Sequence, residues 1–450
     1  MLGLLLKNFL RSRGLMIGLF LLFLSGCISI NIGKYFLDSH QEVIAQTAHY
    51  QKESIDRNLE YHPDDIGLLL YYLRFGLVHD LPNLAGLSIG QRDIHPSLVN
   101  VTIRNLEEQK YASDLKNPMY QLLGNMDFSF ILLYFFPLII IAFCFNLISE
   151  EKEGGVWNLV LSQTPNPKRM LAQKLGIRYA SILLVLLVLL GIGKVVLAIP
   201  FDSVFLLYSL IAILYVTFWF CLSWLVASLH KSSSQNALIL LLSWILLTII
   251  MPALVNVAST QLYPVPEAYG TVLESRDGYH TQWDKPKEPT IKSFHQQYPQ
   301  YSAYHHPEGA SFSWLWYFAM QQMGDDQAAE DAKALKEKLR LRNKFSNVMG
   351  WFVPTIHAQL SLNALARSDL NHHIGYWEAL EAFHEEKRLY FYPRIFQNTA
   401  VADEDWDSFV LGRHQGEIQL NGLVTIWPLL LLSLLALGLA RMASRRIPPL

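Results

Sequence analysis

Three groups of side chains in this sequence have the types and spacing to do chemistry. The first is the run Ser149-Glu150-Glu151-Lys152-Glu153-Gly154-Gly155. Its carboxylates can pair with bases on a partner or brace a turn, but no nucleophile stands beside them to complete an acid–base site. The second is Asp369, His372 and His373, an acid–base grouping with the same gap, for which helix capping and polar packing are the better reading. The third, His305 and His306, lacks both clear ligand spacing and supporting cysteines for a metal. Cys27, Cys144 and Cys221 sit in apolar runs, where they read as small buried hydrophobes. The sequence holds no GxxxxGK[ST] loop, HExxH pair or CxxC pair. No catalytic residue, cofactor site or metal site is therefore assigned to it.

The elements around these groups are overwhelmingly apolar. Of 450 residues, 52% are hydrophobic and only 16% charged, which favours a membrane protein. A formal net charge of -2 excludes the concentrated positive surface that nucleic acid requires. Six stretches approach the ~20 apolar residues that span a bilayer. They are Leu15 to Phe36, Phe128 to Ile148, Tyr179 to Ile199, Val204 to Leu229, Asn236 to Val255 and Leu423 to Leu439. The carboxylate run falls directly after the second.

Lysine and arginine near the span ends set the orientation. Lys7, Arg11 and Arg13 precede span one. Lys152, Lys168, Arg169, Lys174 and Arg178 lie between spans two and three, Lys231 follows span four, and Arg441, Arg445 and Arg446 follow span six. With six spans all of these share one side, which places both termini in the cytoplasm. Lys34 and Lys194 run against the pattern and can snorkel. Leu24-Ser25-Gly26-Cys27 resembles a bacterial lipoprotein processing site, but apolar character continues through Ile28, Ile30 and Ile32, favouring an intact anchor helix.

The expected fold is an all-α polytopic membrane protein with six transmembrane helices and two large, mainly helical extracytoplasmic segments. Residues 1–36 hold the N-terminus and span one, and 37–127 the first outer segment. Residues 128–255 carry spans two to five, with a cytoplasmic segment at 149–173. Residues 256–421 form the second outer segment, and 422–450 span six and the tail. The outer segments each support a small domain or fold together. Asp64 and Asp65 can cap a helix starting at Ile66, which Pro82 stops. Val99 to Tyr111 reads as helix, or as a short strand at its start. Further helices are expected after an aromatic stretch, Ser311 to Met323, at Asp325 to Phe345, Phe352 to Arg367 and Leu370 to Tyr392.

The run Glu151-Lys152-Glu153-Gly154-Gly155, with Leu159-Val160-Leu161-Ser162, Pro165, Lys168-Arg169 and Lys174, closely resembles the ABC-2 type transporter permease pattern. Gly155 stands where threonine is common. Gly124-Asn125-Met126-Asp127-Phe128, Pro137 within span two, and Ala358 to His373 resemble the DUF3526 group of these permeases. The resemblance implies an inner-membrane subunit of a bacterial ATP-binding cassette exporter, working as a dimer with a second copy or a related permease. ATP and Mg would be bound by a separate cytoplasmic ATPase. Glu150, Glu151, Glu153, Gly154, Val156, Trp157, Leu159, Val160, Ser162 and Pro165 would form the ATPase-coupling contact.

Charge-poor spans suit a hydrophobic or amphipathic cargo and argue against proton coupling. An extracytoplasmic accessory protein is a further partner that the large outer segments would accommodate. The competing reading is a membrane-anchored extracytoplasmic scaffold without transport.

Overall fold

The computed structural model describes residues 2–110, 125–155, 157, 167–418 and 422–444. In chain order it begins with α1 (Leu2–Arg11), α2 (Arg13–Tyr61), α3 (Ile66–Tyr72), β1 (Phe75–His79), β2 (Leu98–Val101) and α4 (Leu106–Lys110). Then come α5 (Phe128–Glu153), α6 (Pro167–Val196), α7 (Ser203–Ala227) and α8 (Ser233–Leu262). The chain continues through α9 (Glu267–Trp283), α10 (Lys287–Gln297), α11 (Trp314–Gly350), α12 (Pro354–Leu365), α13 (Leu370–Phe396), β3 (Gly412–His414) and α14 (Gly422–Ser444). Six helices, α2, α5, α6, α7, α8 and α14, are long and apolar enough to cross a membrane. Each carries one of the six apolar stretches, so the all-α polytopic fold holds.

Two spans contain a π-helical turn just ahead of a proline. Ile131–Phe135 precedes Pro137 in α5, and Leu246–Ile250 precedes Pro252 in α8. Proline removes one N–H and its ring crowds the carbonyl four residues back, and a widened turn relieves the crowding. That carbonyl for Pro137 belongs to Leu133, and the Tyr215 hydroxyl of α7 donates to it at 2.8 Å. A dry interior leaves no water to satisfy such a group, so the tyrosine supplies what the kink removes.

The spans share one apolar core, including Phe136, Ile140, Leu186, Leu189, Tyr208, Tyr215, Trp219 and Leu429. Two pieces of the long inter-span segments enter it. Leu84, Ala85 and Leu87, around the 3₁₀ turn Asn83–Gly86, are buried there. So are Ala358, Leu362 and Leu365 of α12. Helix α12 therefore lies among the spans, with Thr355 3.2 Å from the Tyr215 hydroxyl and His357 2.7 Å from the Thr425 carbonyl of α14. Gly33 of α2 lets the Gly86 carbonyl in: a Cβ there would stand 1.7 Å from that oxygen.

The two long inter-span segments fold together as one polar body. The sheet order is β2-β1-β3. The first segment supplies β1 and β2, antiparallel with Phe75 opposite Val101. The second supplies β3, parallel to β1 with Leu77 opposite Gly412. Arg388 of α13 is 2% exposed; it donates to the Arg104 carbonyl at 2.8 Å and to Asp325 of α11 at 2.6 Å. Asp325 also accepts from the Leu106 and Glu107 amides, capping α4 from another segment. An aromatic core joins Phe75, Phe294, Trp316, Phe318, Phe391 and Tyr392. The continuous α2 runs from the span into this body, where Gln51 accepts from the Gly76 amide at 2.8 Å and donates to the Phe409 carbonyl at 2.9 Å.

Candidate coupling site

The end of α5 is where the sequence places its charged turn, and local geometry explains its form. The helix loosens over 145–148, then makes one last turn, Ser149–Glu153. The freed carbonyls are taken by neighbouring spans: Arg178 of α6 donates to that of Phe143, and Asn236 of α8 to that of Phe145 at 3.2 Å. Gly154 closes the turn through its amide to the Glu150 carbonyl at 2.9 Å. Gly155 follows at φ +69°, a left-handed conformation suited to glycine that ends the helix.

The three carboxylates differ in environment. Glu150 points outward and is exposed. Glu151 is tucked in and paired with Lys174 of α6; their side chains are only 12% and 18% exposed. Glu153 accepts from both the amide and the hydroxyl of Ser233, each at 2.7 Å. Ser233 opens α8, so this carboxylate sits at a helix N-terminus, where partial positive charge favours it. The N-terminus of α8 is also closed by a reciprocal cap between Ser232 and Gln235. Ser149 adds a hydroxyl contact to Ser233 at 2.7 Å.

Lys152 lies 3.3 Å from His230, in the loop after α7, and 5.7 Å from the Trp157 ring centroid. Burial, then the Lys152 charge, hold His230 below the ordinary imidazole range. Trp157 is half-buried against a small apolar cluster that includes Leu5 of α1, Ile148, Leu171 and Trp224. The turn is thus tied to α1, α6, α7 and α8. Beside it, under α1, opens a cavity of about 640 Å³ lined by Asn8, Phe9, Asn146, Glu151, Lys174 and Arg178 among others. Val156, Leu159, Val160, Ser162 and Pro165 lie outside the described residues.

The sequence reading selected Glu151 and Glu153 but missed their partners. Lys174 stands out in the sequence as an orienting charge and as part of the family pattern, not as the partner of Glu151, and Ser233 carries no signal beyond its position near a span start. The loop Lys231-Ser232-Ser233-Ser234-Gln235 does contain the cap pattern that marks it.

The stretches behind the finer resemblance meet at the opposite end of the spans. Asp127 caps α5 by accepting from the Phe130 amide at 2.7 Å, and also accepts from the Ile89 amide at 2.7 Å. Burial pushes its carboxyl up to about 6, against the pull of those amides. Next to it, Ser88 donates to Asn363 at 2.7 Å, and the Gln91 amide to the Ser368 carbonyl at 2.9 Å. Asp65 caps α3 through the Leu68 amide at 2.9 Å, as the sequence suggested.

Two of the histidines that the sequence singles out are held by local contacts. His306 contacts Ser313 at 2.7 Å, and His372 pairs with Asp369 while its other nitrogen lies 3.1 Å from the Glu417 carbonyl. Among the described residues no group of three or more His, Cys, Asp or Glu could hold a metal ion.

Residues 268–411 match a domain of unknown function, DUF3526. No curated protein and no solved structure matches the chain. Residues 6–307, well over half its length, match the ABC-2 family transporter protein family. With six spans and that match, the chain belongs to the ABC-2 transporter family.

Proposed function

We propose that this chain is the permease subunit of an ATP-driven exporter, and that the turn at Glu150–Pro165 receives the stroke of a separate cytoplasmic ATPase. The observation that carries this reading is the double tie of the turn: Glu151 to Lys174 of α6, and Glu153 to Ser233 of α8. A push on a free loop would dissipate. A push on this one moves two spans together. Glu150, exposed, is the carboxylate left for a docking partner, while Glu151 and Glu153 act as internal braces.

On this reading both termini, the turn and the loop after α7 lie on the cytoplasmic side of a bacterial inner membrane, which the lysine and arginine distribution favours. The polar body then faces outward, where an accessory protein would meet it. ATP and Mg belong to the partner. A second copy, or a related permease, completes the pathway. Spans poor in charge suit a hydrophobic or amphipathic cargo, and alternating access follows from rocking the tied spans.

The test is coexpression with the candidate ATPase in membranes, comparing wild type with Glu151→Lys/Glu153→Lys. Copurification and cargo-dependent ATP turnover are expected in the wild type and lost, or uncoupled, in the variant. An ATPase that never binds, or a variant indistinguishable from wild type, overturns the coupling model and leaves the outward scaffold in its place.

A further inference from the structure

Six imidazoles gather where the polar body meets the ends of the spans. His40 comes from α2, His79 from β1, His95 from the loop before β2, His372 and His373 from α13, and His414 from β3. His79 is 1% exposed, its ring stacked on Tyr376 with centroids 4.5 Å apart. Arg92, also buried, reaches its Nε2 at 2.7 Å. A guanidinium has only donors, so Nε2 must keep its lone pair and the ring proton must sit on Nδ1. A second proton would set N–H against N–H. The His95 and His373 rings stack at 3.5 Å, a contact two imidazolium ions would oppose.

The facing charges relieve this cluster only in part: Asp80 favours the protonated forms of His40 and His414, while Arg92 opposes both. Arg92 and Arg367 are both positive, and Arg92 donates to the Arg367 carbonyl at 3.0 Å. Asp80 is 3.7 Å from Arg413, Asp369 is paired with His372, and Asp93 faces Asn125. Both nitrogens of His372 face oxygens, of Asp369 and of the Glu417 carbonyl. Among the described residues, seven buried nitrogens here have no hydrogen-bond partner: Nδ1 of His79 and His373, Nε2 of His40 and His414, Nη1 of Arg92, and Nε and Nη1 of Arg367. An added proton at the imidazoles among them meets no acceptor.

We propose that this histidine cluster is an acid-released latch, closed while its imidazoles are neutral and opened when they take up protons. It joins β1, β3 and α13 to the loop that carries Arg92, and that loop runs back through Gln91 and Ile89 to Asp127 at the head of α5. Release therefore loosens the polar body from the spans. Burial, with Arg92 next, drives His79 far below the ordinary imidazole range; burial and His95 take His373 to about 2.

The sign follows from linkage. Below an open-state value of about 6.5, the open form binds protons that the closed form refuses, so acid favours opening. One such histidine shifts the equilibrium about tenfold between pH 7.5 and 5.5, and two about a hundredfold. The latch does not depend on the coupling reading, and an ATPase is not needed to test it.

The experiment is amide hydrogen exchange by mass spectrometry on the full chain in lipid nanodiscs at pH 7.5 and 5.5, corrected for intrinsic exchange. Residues 75–101 and 369–384 should lose protection about ten- to a hundredfold in acid, while the aromatic core around 315–320 keeps it. His79→Gln offers Arg92 an oxygen that takes no proton, and His373→Phe keeps a ring on His95. Each should cut the acid response about tenfold, and either one that folds suffices for this arm. Carbon-2 hydrogen exchange of His79, read in the same wild-type samples, should show no protonation while the segment is still protected. Unchanged wild-type protection, loss spread evenly over the polar body, an ordinary His79 titration without opening, or variants as acid-sensitive as wild type would overturn the latch.

Discussion

Glu153 holds Ser233 by both of its donors, one carboxylate oxygen on the backbone N–H and the other on the hydroxyl, each at 2.7 Å. The contact fastens the last turn of α5 to the first residue of α8. It spans 80 positions of sequence, with Glu153 exposed and Ser233 half-buried, so it lies where a docked protein would press.

Glu153→Ala should leave expression and folding intact and lower cargo-stimulated ATP turnover several-fold, because the turn then moves without α8. A Glu153→Cys/Ser233→Cys pair, cross-linked, should restore much of it. Turnover with and without oxidation reads the result. Equal coupling in Glu153→Ala and wild type would remove this tie from the stroke.

Glu151 and Lys174 are mostly shielded from water, and breaking a shielded pair strands the remaining charge. Glu151→Lys should cost about 3 kcal/mol. Glu151→Lys/Lys174→Glu restores the pair in reverse and should recover most of that loss. Thermal unfolding in detergent compares the three proteins. A double variant no better than the single one would show that the surroundings, including Arg178, select this polarity.

Arg388 is the corresponding point in the polar body. Arg388→Met leaves Asp325 buried beside an apolar chain and removes donors from the Ile103 and Arg104 carbonyls. A loss of about 3–5 kcal/mol is expected. It should show as protease cleavage within 75–110 and 380–410 while helix content in the spans persists. Arg388→Lys should rescue only part, since one ammonium cannot reach three acceptors in the plane a guanidinium covers.

Asp127 gives a pH dependence of defined sign. Its folded value, about 6, stands above the ordinary carboxyl value of 3.8. The stability it contributes is fully present below about pH 4 and is lost as pH rises through about 6, up to about 3 kcal/mol in all. The buried histidines act the other way, weakening the fold as pH falls below about 6.5. Subtracting the unfolding curve of Asp127→Asn from that of wild type isolates the carboxyl. A difference that stays flat between pH 4 and 7 would place its titration elsewhere.

The spans were legible because a bilayer demands long apolar runs, and their order follows from nothing else. The Glu-Gly turn was legible as a sequence pattern. Other features lie beyond local pattern. Residues 40–62 are polar and read as helix or irregular surface; through Tyr61 they continue the helix of span one without a break, because Gln51 and Ile55 pack into the polar body. Residues 311–323 and 325–345 read as two stretches and form one helix, α11. Strand β1 hides in a short apolar stretch because its pairing with β3 joins residues more than 300 positions apart. Helix α12 reads as an ordinary amphipathic helix; its burial among the spans is set by Tyr215 and Thr425, which no periodicity reveals.

The unbroken course of α2 has a mechanical consequence. Forty-nine residues make a rod of about 73 Å, far longer than a bilayer is thick. Its base lies against α1 and α6, beside the charged turn, and its tip is clamped by Gln51 between the two halves of the polar body. Such a rod is a lever arm with its fulcrum in the membrane. Rocking it by about 10° about mid-span, near residue 25, sweeps the far end through about 9 Å and the base through about 3 Å, so a small displacement at one face of the membrane becomes a larger one beyond the other.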